Sequence, residues 1–164
     1  MKKTIFIDID GTVADSIPWW LSLYNVEHFE TWQKSDVTEY GKIPSGLSQY
    51  YDDYRGVNSV DGANEAIERL SCYYRIVFVT VGQGEYWLKE RYWDSEVIRI
   101  RDRSLLKGFA IIDDCDKNVE SFDGLGFLVK QPWNPNGKTW KEITEELLSY
   151  ANDDIADGVS VSPV

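Results

Sequence analysis

Thr4-Ile5-Phe6-Ile7-Asp8-Ile9-Asp10-Gly11-Thr12-Val13-Ala14-Asp15 is the stretch that decides the fold. The apolar run Thr4 to Ile7 stops abruptly at acids, so it reads as a buried strand that delivers Asp8 and Asp10 to its C-terminal end. Two carboxylates at that spacing repel each other and resist desolvation, so something must offset their charge. A divalent cation with hard oxygen ligands does so, and Mg²⁺ takes one or two carboxylates together with phosphate oxygens of a substrate. The pair predicts a Mg²⁺ site with Asp8 and Asp10 among its ligands. A calcium-like loop or an Asx turn is the competing reading of a bare Asp-x-Asp.

Working outward, similar apolar runs recur at Arg75 to Thr80, Val97 to Ile100, Phe109 to Asp113 and Gly126 to Val129. Helical patterns lie between them: Asp61 is placed to cap Gly62 to Cys72, and Gly84 to Trp93 carries apolar residues among charges. Trp140, Ile143, Leu147 and Tyr150 recur at near-helical spacing over Thr139 to Tyr150. Strands alternating with helices predict an α/β fold with a doubly wound parallel sheet, whose ligands bind at the strands' carboxyl ends. The stretch Ser16 to Val60 is too long for a crossover helix and reads as an insert. Helix starts at Ser16 with Pro18, at Ser35 with Asp36, and over Ser45 to Tyr54 make it a small helical cap. The expected organisation is a core of residues 1–15 and 61–150, a cap of 16–60, and a tail of 151–164.

Two further strand ends carry chemistry. Ile112-Asp113-Asp114 mirrors the first site, and in a parallel sheet both acid pairs share one edge, so Asp113 and Asp114 complete the Mg²⁺ site. A capping pair at a helix start is the bland alternative, better suited to Asp116. Thr80 ends the second strand run before Val81-Gly82-Gln83-Gly84; its hydroxyl and the backbone N–H groups freed by small glycines suit a phosphate, although a simple turn has the same composition.

The length of 164 residues suits one domain with an insert, and 43% hydrophobic with 27% charged residues is ordinary globular usage. The balance of 17 Lys+Arg against 28 Asp+Glu gives a net charge of −11, which opposes duplex nucleic acid as a partner. No stretch approaches the roughly 18 apolar residues of a membrane span. The apolar segment behind Met1-Lys2-Lys3 is broken at once by Asp8 and Asp10, so no signal-peptide core forms. Cys72 and Cys115 make neither a disulfide framework nor a zinc motif, and the expected compartment is the cytoplasm.

The run Asp8-Ile9-Asp10-Gly11-Thr12-Val13 after a first strand resembles motif I of the haloacid dehalogenase superfamily of phosphohydrolases. Ala14-Asp15, Val60-Asp61-Gly62-Ala63, Ile111-Ile112-Asp113-Asp114 and Gln131-Pro132-Trp133-Asn134 further resemble its 5'(3')-deoxyribonucleotidase-like branch. The resemblance implies a Rossmann-like sheet and a Mg²⁺-dependent phosphomonoesterase acting on nucleoside monophosphates through an aspartyl-phosphate. It makes Asp8 the nucleophile and Asp10 the general acid and base, with Thr80 in motif II. The motif III base is Arg103, a departure from the Lys of nucleotidases, or Lys107. Val81 and Phe109 are two more departures, expected to loosen the phosphate pocket. The cap would hold the base, with one or two of Trp19, Trp20, Tyr24 and Trp32 touching substrate; His28 is expected at the surface. A phosphatase for another small metabolite or a nucleic-acid 3'-phosphate stays open, as does a non-catalytic module binding Mg²⁺ and nucleotide.

Overall fold

A computed structural model describes residues 1–92 and 94–156. Among the described residues, seven strands and five α-helices follow in order: β1 (Thr4–Asp8), β2 (Ala14–Asp15), α1 (Ser16–His28), β3 (Asn58–Ser59), α2 (Ala63–Ser71), β4 (Arg75–Thr80), α3 (Glu85–Arg91), β5 (Glu96–Arg99), β6 (Ala110–Asp113), α4 (Asp116–Ser121), β7 (Leu125–Leu128) and α5 (Trp140–Ala156). Each of the five apolar runs read from the sequence is a strand of one sheet, ordered β5-β4-β1-β6-β7 and parallel throughout. The chain builds β1, β4 and β5 to one side and then crosses back to lay β6 on β1's free edge. That reversal opens a crevice at the carboxyl ends of β1 and β6. The register Ile7↔Ile112 sets Asp8 beside Asp113 in that crevice.

Both faces of the sheet are covered, which is why its strands read as continuous apolar runs rather than alternating ones. Ile5, Ile7, Phe78 and Ile112 pack with Ile67 and Leu70 of α2 and with Ile143 and Leu147 of α5. Phe6, Val77, Val79 and Ile111 face the other way, onto Leu106 and Phe122. In α2 the apolar positions Ala63, Ala66, Ile67 and Leu70 recur at helical spacing and are all buried. Its cap differs from expectation: Gly62 holds the N-cap position with no side-chain hydrogen bond, and Asp61 stands outside it, exposed. The closing helix runs past Tyr150 to Ala156. Trp93, the expected end of α3, and residues 157–164 of the expected tail lie outside the described residues.

The stretch after β1 holds less helix than its capping residues suggest. Ser16 with Pro18 does start α1, but Ser35-Asp36 and Ser45 to Tyr54 yield only 3-10 turns, Lys34–Asp36 and Leu47–Tyr50. Trp20, Leu21, Val37 and Leu47 form a small cluster of their own, completed by Trp133 from the segment after β7. Two strands too short for any periodicity, β2 and β3, pair antiparallel where the stretch leaves and rejoins the core.

Trp140 ties the closing helix to the loop after β1. It is 2% exposed, and its indole Nε1 donates to the Thr12 carbonyl at 2.9 Å. Trp140→Ala removes this packing and orphans a buried carbonyl. Urea denaturation is expected to show a loss of about 3–5 kcal/mol.

Candidate active site

β1 and β6 end side by side, and the acids that follow them converge. Carboxylate oxygens of Asp8, Asp113 and Asp114, all buried, lie within 4.8 Å of one another. Burial, then the neighbouring Asp113 and Asp114, pushes the Asp8 carboxyl well above the ordinary range. Burial, and next Asp113, does the same to Asp114, and burial raises Asp113. Such a site favours a cation or protons.

One cation of the chain itself is there. Arg103, with a side chain 2% exposed, donates from Nη2 to Asp8 Oδ1 at 2.6 Å and from Nε to Asp113 Oδ2 at 3.4 Å. A third bond, from Nη1 to the Ile100 carbonyl, fixes the planar fork to the backbone that follows β5. Lys107 goes elsewhere: it pairs with Asp123 at 3.1 Å on the exposed surface. The cause is topological. By residue 109 the chain has descended to the amino edge of the sheet, where Phe109 N–H donates to Thr4 O at 2.8 Å. Phe109 is corrected on the same ground, since its ring stacks on Tyr74 at 5.6 Å and cannot loosen a pocket at the opposite edge.

Residues not singled out from the sequence for a role hold the acids in place. Asn118 Nδ2 donates to both oxygens of Asp113 at 3.1 and 3.0 Å, and Cys115 N–H donates to Asp113 Oδ1 at 2.9 Å. Trp133 Nε1 lies 3.2 Å from both Asp114 O and Asp114 Oδ2, Asn134 donates to the Asp114 carbonyl, and Gln131 Nε2 donates to Gly11 O at 2.6 Å. The Gln131-Pro132-Trp133-Asn134 run quoted from the sequence was the available signal, and its Gln131 and Asn134 are buried polar groups that find partners here. Gly11 sits at φ +78°, and a Cβ there would stand 2.3 Å from Asp114 Oδ2, so only glycine lets the loop pass the acid.

Asp10, also expected among the metal ligands, is engaged differently. Its carboxylate lies outside the three-acid group and is engaged by the Tyr54 hydroxyl at 2.8 and 2.9 Å. Burial lifts its carboxyl to about 6, against the lowering pull of Tyr54 and then of Ser16. Ser16 Oγ is nevertheless buried without a partner in hydrogen-bond geometry. Thr80 ends β4, buried, but its Oγ1 accepts from the N–H of Gly82 at 3.0 Å, so in this structure the glycine loop serves the threonine.

A cavity of about 240 Å³ opens beside Asp10 and Asp114, lined by Ser16, Trp20, Tyr40, Tyr51, Tyr54, Val81 and Trp133 among others. Of the four aromatics from which one or two were expected to meet a ligand, Trp20 lines it; Trp19, Tyr24 and Trp32 pack with Trp20 in the stretch's own cluster. His28 is exposed, its ring stacked on Tyr24 at 4.3 Å.

A five-stranded parallel sheet with paired acids at its crevice and an insert after its first strand defines a haloacid dehalogenase-like phosphohydrolase. Solved structures share the fold: a haloacid dehalogenase-like hydrolase from Xanthomonas campestris (TM-score 0.55, 14% identity, 93% of this chain and 98% of that one) and one from Streptococcus pneumoniae (TM-score 0.57, 13% identity, 91% and 98%). Within that class, residues 2–149 match the model of the family described as 5' nucleotidase, deoxy (pyrimidine), cytosolic type C protein (NT5C), and the chain belongs to that family. The 5'(3')-deoxyribonucleotidases of Bacillus subtilis (strain 168) and of Bacillus phage SPbeta are each 26% identical over 172 residues, covering 90% of this chain and all of theirs. The protein is a hydrolase of phosphomonoesters. Among the described residues no helix is long and apolar enough to cross a membrane.

The raised carboxyls link stability to pH. A carboxyl raised on folding contributes stability that is complete below its unfolded value, 3.8 for Asp10, and is lost as pH rises through its folded value of about 6. With EDTA present, Tm is therefore expected to fall as pH rises from about 4 to about 6. Asp10→Asn should make that slope shallower in a thermal melt series.

Proposed function

We propose that the chain is a Mg²⁺-dependent 5'(3')-nucleotidase that dephosphorylates (deoxy)nucleoside monophosphates through an aspartyl-phosphate on Asp8. The observation that carries this reading is the trio of buried carboxylates opposed by a single guanidinium. The trio fits the metal: three hard oxygen donors share one small space, and burial, then their mutual repulsion, raises Asp8 and Asp114 in its absence. Asp8, Asp113 and Asp114 would hold the ion, which when bound supplies positive charge to the site and to the phosphoryl oxygens.

The chain's own groups do the rest. A carboxylate oxygen of Asp8 attacks phosphorus in line, and the bond from phosphorus to the ester oxygen breaks. Asp10, whose carboxyl near pH 6 is partly protonated close to neutrality, gives its proton to that leaving oxygen. A water then attacks the phosphoryl group and yields its proton to Asp10, and the bond from Asp8 to phosphorus breaks, restoring the carboxylate and releasing phosphate. Arg103, bonded to Asp8 and Asp113, would neutralise equatorial oxygens with its fork, and Thr80, at the end of β4, would bind one.

The cavity supports a nucleoside over a sugar phosphate. Its wall is dominated by Trp20, Tyr51, Tyr54, Trp133, Ile17 and Val37, faces on which a base stacks and against which the many hydroxyls of a sugar go unpaired. Val81, 60% exposed and on the same wall, is the sequence departure that bears on substrate range. A core of residues 1–15 and 61–150 carrying the chemistry and an insert of 16–60 carrying the base is the domain division that agrees with this.

Phosphate release should be measured on ribo- and deoxyribonucleoside monophosphates and sugar phosphates, with Mg²⁺ and with EDTA. Release concentrated on nucleotides, lost with EDTA and lowered about 10³-fold or more by Asp8→Asn, is expected. Near-normal turnover in Asp8→Asn overturns the nucleophile, and release from sugar phosphates alone overturns the substrate.

A further inference from the structure

Tyr54 belongs to the stretch inserted after β2, yet its hydroxyl lies 2.8 and 2.9 Å from the two oxygens of Asp10. A phenol carries one proton, so a hydroxyl equidistant from both oxygens favours neither of them. What it fixes is the rotation of the carboxyl group about its bond to Cβ. The phenol is itself held. Its ring meets Trp20 edge-on at 5.8 Å and 80°, and Val57 N–H donates to the Tyr54 carbonyl at 3.1 Å. Trp20 Nε1 donates to Asp53 O at 2.9 Å and Trp19 Nε1 to Asp53 Oδ1 at 3.1 Å, which pins the residue before it.

Space for the hydroxyl comes from the loop after β4. A Cβ on Gly84 would stand 3.3 Å from Tyr54 Oη and 2.8 Å from Ile9 Cγ2. A Cβ on Gly82 would stand 3.6 Å from Asp10 Oδ2. Gly84 thus clears the approach of an inserted tyrosine to a core acid, while at Gly82 a Cβ would make only ordinary contact.

A general acid works only while its oxygen faces the atom it protonates, and small misplacements cost rate steeply. We infer that Tyr54 is a positioning residue for the acid step: it sets the rotation of the Asp10 carboxyl toward the leaving oxygen, so proton delivery depends on the insert being seated on the core. This rests on the reading of Asp10 as the general acid.

The test compares two leaving groups. The alkoxide of a deoxynucleoside needs a proton to depart, whereas p-nitrophenolate departs without one, so acid orientation matters to the first substrate and little to the second. Tyr54→Phe keeps the ring and its contact with Trp20, and a thermal melt checks that the fold is retained. The ratio of kcat/KM on a deoxynucleoside monophosphate to kcat/KM on p-nitrophenyl phosphate, which leaves out the water step that both substrates share, is expected to fall about tenfold or more. KM for the nucleotide should stay within about twofold. An equal loss on both substrates, a rise in KM alone, or an unchanged ratio overturns the inference. Asp10→Asn is run in parallel and should lower the same ratio by about 10²-fold. If it does not, Asp10 is not the acid, and the inference falls with that reading. If Asp10→Asn lowers the ratio and Tyr54→Phe does not, Tyr54 alone is overturned.

Discussion

Like charges forced together at the edge of a buried sheet are the constraint on which this structure turns. Parallel pairing of β1 with β6 leaves Asp8 and Asp113 as lateral neighbours, and the next residue, Asp114, has nowhere to go but the same crevice. Repulsion in so dry a place would open the loops unless each carboxylate were tethered. The tethers come from several elements: Arg103 to Asp8 and Asp113, Asn118 to Asp113, Trp133 to Asp114. Removing one such partner leaves a buried charge unanswered, which costs more than the bond itself is worth.

The same tethers position the insert. Trp133 meets Asp114 through its indole N–H while its ring completes the cluster of Trp20, Leu21, Val37 and Leu47. One side chain therefore registers the inserted stretch against an acid of the site. From the opposite side Tyr54 reaches Asp10. Two aromatic residues, one from the core and one from the insert, stitch the chemistry to the wall of the cavity, so the shape offered to a substrate and the placement of the acids change together.

The sheet was legible because buried parallel strands write themselves as unbroken apolar runs that end in something else. Here β1 and β6 end in aspartates and β4 in a threonine. The insert was not legible in the same way. Its 3-10 turns at Lys34–Asp36 and Leu47–Tyr50 carry the start signals of helices without the periodic apolar face that would continue them. Choosing between Arg103 and Lys107 needed the crossover geometry: both precede the acids, but the chain travels from one sheet edge to the other between them. Tyr54 stayed hidden among many aromatics, since nothing in a sequence says which of several rings will point its hydroxyl at an acid brought near only by folding.

The antiparallel pair Ala14↔Ser59 and Asp15↔Asn58 brings the two ends of the inserted stretch together before it begins. Because that closure is made by the core's own hydrogen bonds, adding residues between the two strands costs only the slow logarithmic growth of loop entropy, about 0.6 kcal/mol for each doubling. The register of the sheet is set by strands outside the stretch, whereas Tyr54 and Trp133 tie the stretch itself to Asp10 and Asp114. The antiparallel pair therefore works as a clasp: length can be added between its strands at little entropic cost, provided that Tyr54 still reaches Asp10.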